Sequence, residues 1–433
     1  IPAGVQFDTM RIHALDGLRW VASIQIVLYH SYTDGDDAFA VFSRWGQSWT
    51  QFFFLVSGFV LATSEMAKAD HPQPSLSKYI VRRLRLIYPA YALSVLLHLV
   101  NNPRRSSFEW RMLPLHALLL QSWFPECAEI SYMNIACGPL IFNGVAWFLS
   151  VLLFFWILLR PLARALRERS VAFSAVVAIS CWFVSFALAW LSYNHRLAAL
   201  LGCHDKICDR VCAQYLSYSP FGYFHVFVAG VAGARIYFQD ATTGDPEGPF
   251  RPAMGLGLAL QPFLRYGCCL GFSGYIALVC AAPIAIRTHT IFLHNGGLLP
   301  LQFLILLGAA AGVDPMAAVV LASRPMAWLG RLSYVQYVMQ LICKAWIQQA
   351  FGWGRLARMA YVPALVLFSW CCQRLWIEGS GPEVVSAGPQ GSIEHSGKEA
   401  LGGMASAPAA YGSIATPAAA DIAAGAGGVS DEA

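Results

Sequence analysis

The chain has 433 residues, of which 57% are apolar and 12% charged, with a mean hydropathy of +0.52. Soluble domains carry roughly 25% charged and 45–50% apolar residues, so a single water-soluble core is excluded. A formal charge of +5 does not point to nucleic acid, because the basic residues gather at the ends of apolar stretches, where membrane orientation accounts for them.

A helix crossing a bilayer needs about 20 mostly apolar residues. In chain order, such stretches run over 15–32, 49–66, 86–100, 141–159, 171–193, 221–237, 266–286, 291–312, 326–346 and 360–376. An eleventh, 112–124, is short and carries His116 and Gln121, which marks a half-length or interfacial segment. The expected fold is therefore all-α, a polytopic transmembrane helix bundle of about ten spans plus one half-length segment. From Gly379 onward the composition turns to Ala, Gly, Ser and Pro, with Tyr411 the one aromatic. Such a segment buries too little apolar surface to offset its ordering entropy and is expected to be disordered. The domain scheme is an N-terminal flank over 1–10, a transmembrane domain over 11–377 and a tail over 378–433.

Ionisable residues inside apolar spans are costly and are functional candidates by default. The first span holds the densest set. His30 lies eleven positions after Arg19, which at 100° per residue comes within about 20° of three full turns and sets them about 16 Å apart along one helix face. Asp16 lies one turn before Arg19 on the same stripe. Neutral imidazole takes a proton from an attacking hydroxyl, and a guanidinium binds phosphate or carboxylate in a fork. The competing structural account makes Asp16 and Arg19 an interfacial ion pair and His30 a snorkelling residue.

In the second span, Ser57-Gly58 offers a small surface where another helix can approach closely. Before the third, Arg82, Arg83 and Arg85 lead to Pro89, which frees a backbone carbonyl and can bend a helix. Arg82 and Arg85 share a face and could clamp donor phosphates, or the cluster could serve only as a positive-inside anchor. With Arg82 to Arg85 and Arg160 to Arg169 cytoplasmic, Asp34 to Asp37 and the loops 125–140 and 194–218 face the other way. That arrangement leaves Arg104, Arg105 and Arg111 on the outer side, at some cost to the rule. Cys127, Cys137, Cys203, Cys208 and Cys212 fall in those two loops, where disulfides would fit an oxidising compartment. Zinc held by Cys203, His204, Cys208 and Cys212 is the rival account, on a spacing that matches no standard ligand pair. No metal site is expected.

Leu15-Asp16-Gly17-Leu18-Arg19 leading to His30, then Phe52-Phe53-Phe54-Leu55-Val56-Ser57-Gly58-Phe59, then Arg82-Arg83 running to Tyr88-Pro89-Ala90-Tyr91, together resemble the opening of the acyltransferase-3 family of membrane proteins. Trp147-Phe148-Leu149-Ser150-Val151, Pro220-Phe221 through Gly230, and Trp328-Leu329-Gly330-Arg331-Leu332-Ser333-Tyr334 extend the likeness over about 11–377. The resemblance implies an integral membrane enzyme of about ten helices that moves an acetyl or other acyl group to an acceptor hydroxyl, commonly on a carbohydrate. The donor co-substrate is acyl-coenzyme A or another activated ester, with no bound cofactor expected and, from the placement of the basic residues, no nucleic-acid partner. The family's Arg, ten residues, His pattern falls on Arg19 and His30, and its Arg-x-x-Arg pair on Arg82 and Arg85. By resemblance His30 is the base, while Arg19 and the Arg82 and Arg85 pair hold donor or acceptor, with Arg83 adjoining them; the stripe itself makes His30, Arg19 and Asp16 the catalytic candidates. Two departures stand out: Leu86 holds a place where many members have Arg, and Leu152 and Leu153 stand where many bacterial members have acids. A transporter or carrier, or a catalytically inactive scaffold, are the alternatives. No internal repeat favours the transporter.

Overall fold

The computed structural model describes residues 13–35, 37–68, 72–124, 126–131, 134–193, 211–212, 215–237, 265–281, 290–312 and 314–379. The chain divides into Ile1–Gln390 and Gly391–Ala433. The second unit, and with it the expectation of a disordered tail over 380–433, lies outside the described residues.

The fold is an all-α membrane bundle. Its helices are α1 (His13–Ser31), α2 (Ala38–Arg44), α3 (Thr50–Ala67), α4 (Leu76–Asn101), α5 (Ser107–Ala117), α6 (Trp147–Arg167) and α7 (Val171–Tyr193). Then come α8 (Pro220–Tyr237), α9 (Gly267–Ala281), α10 (Thr290–His294), α11 (Leu299–Ala311), α12 (Arg324–Phe351) and α13 (Arg355–Gly379). A 3₁₀ turn, Trp45–Trp49, joins α2 to α3, and a π-helical turn, Met316–Leu321, precedes α12. Helices occupy all ten of the long apolar stretches. Among the described residues, six segments are both long and apolar enough to cross a bilayer unaided: Ala38–Ala67, Leu76–Asn101, Trp147–Arg167, Val171–Leu191, Phe292–Ala311 and Arg355–Leu375. α9 is shorter, and α1, α8 and α12 are long but carry the polar residues that lower their hydropathy.

Among the described residues, one hairpin departs from helix. β1 (Cys127–Ser131) pairs antiparallel with β2 (Asn134–Cys137), with Cys127 opposite Cys137 in register and the two joined by a disulfide. The half-length segment is α5, opened by a reciprocal cap between Ser106 and Glu109 and followed by a turn in which Leu119 takes φ 56. Its last carbonyls are not orphaned. Tyr91 Oη donates to His116 O and Tyr88 Oη to Ala117 O, each at 2.8 Å, as a helix ending within a bilayer requires.

α1, α4 and α12 run parallel. Ser23 Oγ donates to Ser333 O, Tyr334 Oη to Ile87 O, and Asn143 Nδ2 bridges Ser94 Oγ and Val338 O. α3, α6 and α8 run the opposite way through the core. α3 and α8 cross where both present glycine: a Cβ on Gly58 would stand 2.3 Å from Phe227 O, and one on Gly230 2.2 Å from Leu55 O. Backbone contact of this kind drives helix association in lipid, where apolar burial gives no preference for a neighbouring helix over acyl chains. The small surface at Ser57-Gly58 is thus filled by Gly230.

The bundle has two distinct ends. Arg82, Arg83, Arg85, Arg160 and the π-helical turn lie at one; His30, Thr50, Trp147, His294, Lys344 and the disulfide hairpin lie at the other.

Candidate functional site

α1 carries the polar stripe as a single uninterrupted helix. At its start Arg19 Nη1 lies 3.2 Å from Asp16 Oδ1 in an i, i+3 ion pair. At its end His30 sits in the last turn, its backbone carbonyl accepting a hydrogen bond from Lys344 Nζ of α12. The rigid rise of α1 keeps Arg19 and His30 about 16 Å apart. Asp16 and Arg19 therefore pair with each other, and neither reaches His30.

His30 opens onto a cavity of about 90 Å³. The 3₁₀ turn and α3 contribute Gln47 and Thr50, α6 contributes Trp147, and the opposite wall is formed by Ser217, Tyr218 and His294. α12 closes it with Tyr337, whose hydroxyl donates to Val145 O at 2.9 Å. Trp147 packs its ring against Tyr218, Tyr223 and His294, with centroids 5.0, 5.2 and 5.8 Å apart. Gln47 and Thr50 are 3% and 5% exposed, line the cavity, and make no side-chain hydrogen bond among the described residues. These two polar side chains border the space beside the imidazole, where a ligand group or water can reach them.

The arginines before Pro89 lie at the other end, and α4 runs through that proline as one helix. Arg82 and Arg85 are exposed, whereas Arg83 turns inward. Its guanidinium lies 4.7 Å from the Tyr79 ring centroid and 5.7 Å from that of Trp156. Arg160 of α6 stacks on the same Tyr79 at 4.9 Å and pairs with Glu65 at 3.3 Å. The structure thus gathers Arg83 with Arg160 across α4 and α6, a partnership the local spacing of Arg82 and Arg85 did not disclose. Leu152 is buried in the core.

Among the described residues, no three His, Cys, Asp or Glu side chains come together as metal ligands. Cys203, His204 and Cys208 of the zinc alternative lie outside them. Cys127 and Cys137 are joined to each other.

His294 escaped the sequence reading, although it obeys the rule that singled out His30. It is an ionisable residue at the head of an apolar span, followed by Asn295-Gly296-Gly297, a turn signal.

Comparison with protein families decides the affiliation: the model of the acyltransferase-3 family, an acyltransferase domain, matches residues 12–374. The chain belongs to that family. The match covers every helix from α1 into α13 and leaves the tail outside. Comparisons with curated proteins and with solved structures return no match. The acyltransferase-3 pattern of Arg, ten residues and His therefore falls on a helix whose two ends serve separate clusters, one basic and one imidazole-centred.

Proposed function

We propose that this acyltransferase-3 family protein moves an acetyl or other acyl group from acyl-coenzyme A to an acceptor hydroxyl, on a carbohydrate or a lipid-linked molecule. The observation that carries the reading is the cavity at His30, which joins an imidazole to two unpartnered hydrogen-bonding side chains, Gln47 and Thr50.

At about 90 Å³, the cavity is well below the ~300–1,000 Å³ of sites that engulf a drug-sized ligand. It accommodates the reacting ends of two substrates, the acyl carbonyl and the acceptor hydroxyl, while their bulk stays outside. In this reading His30 takes the hydroxyl proton, the oxygen bonds to the acyl carbon, and the carbon–sulfur bond breaks to release a thiolate that regains a proton. Gln47 and Thr50 donate to the carbonyl oxygen as it gains charge, the kind of fixed donor worth about 3–4 kcal/mol of barrier each in acyl transfer. Arg82, Arg83 and Arg85, joined by Arg160, offer charge for the donor's phosphates at the opposite end. The span of α1 is then the length bridged by the donor's long arm, with Asp16 orienting Arg19 along the way.

Reconstituted protein incubated with radiolabelled acetyl-coenzyme A and membrane glycan or glycolipid extracts should transfer label to an alkali-labile product. Donor turnover absent with every hydroxyl-bearing extract, in protein shown to bind coenzyme A, would overturn the reading and favour a carrier or scaffold.

A further inference from the structure

The second imidazole in the cavity is held with more care than the first. Tyr223 Oη donates to the backbone carbonyl of Ser217 and also meets His294 Nδ1. A phenol has one proton and a carbonyl can only accept, so that proton goes to Ser217 O. Tyr223 Oη is then an acceptor toward His294, whose Nδ1 must carry the hydrogen, leaving the lone pair of the neutral ring on Nε2. The tautomer follows from the partners.

The turn that presents His294 is fixed from three sides. Asn295 Nδ2 donates to Leu216 O and Gly222 O at 3.0 and 2.9 Å. His225 Nε2 lies 2.7 Å from Asn295 O, and Trp182 Nε1 donates to Gly297 O at 3.1 Å. Gly296 has φ +112, and a Cβ there would stand 2.3 Å from Ser185 Oγ, so no other residue fits the turn without displacing its neighbours. His30, by contrast, has no hydrogen bond to its ring among the described residues. A positive charge on it would also arise next to the Lys344 ammonium, which is anchored on its own backbone carbonyl.

We propose that His294 is a further catalytic residue, which carries the proton from His30 to the departing thiolate, with Tyr223 as its positioning residue. This rests on the reading of His30 as the base. The proton leaves the acceptor hydroxyl for His30 as the new carbon–oxygen bond forms. It passes across the cavity to the lone pair on His294 Nε2, and the His294 imidazolium then gives it to the thiolate sulfur as the carbon–sulfur bond breaks. No oxidant or further reactant is needed. The relay moves charge away from Lys344 to a ring whose Nδ1–H already points at an oxygen, the base-and-orienter logic of an activated dyad.

Single and double variants in reconstituted protein test it. His294→Ala should lower kcat by about 10²-fold or more with donor KM unchanged, and His30→Ala combined with His294→Ala should be no slower than the worse single variant, since groups acting as one unit are not additive. His294→Gln keeps a donor toward Tyr223 and therefore the fold, but cannot carry a proton, so it should be as slow as His294→Ala. Tyr223→Phe should lower kcat less and move the acidic limb of the pH–rate profile, which a packing role alone would not do. If His30→Ala abolishes transfer while His294→Gln retains near wild-type kcat, the relay is wrong and the base reading survives. If His30→Ala is itself near wild type, the base reading fails, and with it the relay.

Discussion

His30 stands at the end of the polar stripe that Asp16 and Arg19 begin. The stripe on the first span marks it, and the fold sets it on a partly open cavity that it shares with Gln47 and Thr50. Replacing it should remove rate without removing the protein from the membrane, because a ring at a cavity edge packs less than a core side chain. General-base catalysis is typically worth 10²–10⁴ in rate, so His30→Ala should lower kcat by at least about 10²-fold in a reconstituted assay with donor KM nearly unchanged. Turnover close to wild type would return His30 to an interfacial role. The arginines divide differently from the expectation drawn on spacing alone. Arg82 and Arg85 are exposed while Arg83 packs between Tyr79 and Trp156 beside Arg160, so donor binding should be most sensitive at Arg83. Arg83→Ala should raise donor KM by about tenfold, as expected when one charge-assisted contact of about 1.5–3 kcal/mol is lost. A larger effect at Arg85 than at Arg83 would show that the exposed face holds the donor. Arg160 and His294 were out of reach of local reading, because each acquires its meaning from a partner on a distant element, Tyr79 in one case and Tyr223 in the other.

At the scale of elements, hydrophobic length located the helices but not their ends. The third stretch looked apolar from residue 86, yet α4 begins at Leu76, and the stretch from residue 141 becomes helical only at Trp147. Apolarity marks the part of a helix immersed in lipid, whereas hydrogen bonding and capping set its termini. Ser75 caps α4 through Lys78 N, and residues 141–146 form a turn so that Asn143 can bond Ser94 and Val338 across three elements. The glycine contact between α3 and α8 gives the sharpest element-level prediction. Any Cβ at Gly58 meets the Phe227 carbonyl, and overpacking of this sort costs about 1–3 kcal/mol. Gly58→Leu should therefore lower the detergent-solubilised Tm by several degrees, while Gly354→Ala, where no atom lies within 4 Å of the added carbon, should leave it unchanged. Equal Tm values for the two variants would mean that α3 and α8 are not held by that crossing.

For the molecule as a whole, the basic residues gather at one end of the bundle axis. Arg82, Arg83, Arg85, Arg160, Arg164, Arg167 and Arg169 share one end, and cytoplasmic loops are enriched in such residues. The other end holds the cavity and the hairpin closed by Cys127 and Cys137. The arginines there, which weighed against this orientation in the sequence, are mostly spoken for. Arg105 pairs with Glu109 at 2.9 Å and Arg111 with Glu126. A disulfide at that end agrees with an oxidising compartment. The cavity should then open away from the cytoplasm, and the donor's phosphates should be met on the cytoplasmic face. The decisive measurement is access from outside to the hairpin sulfurs. In intact cells, mild reduction followed by a membrane-impermeant maleimide should label Cys127 and Cys137, and replacing both with Ser should remove that increment of label. Labelling seen only after permeabilisation would invert the bundle, placing the imidazole cavity on the cytoplasmic side and the basic cluster beyond reach of a cytoplasmic donor.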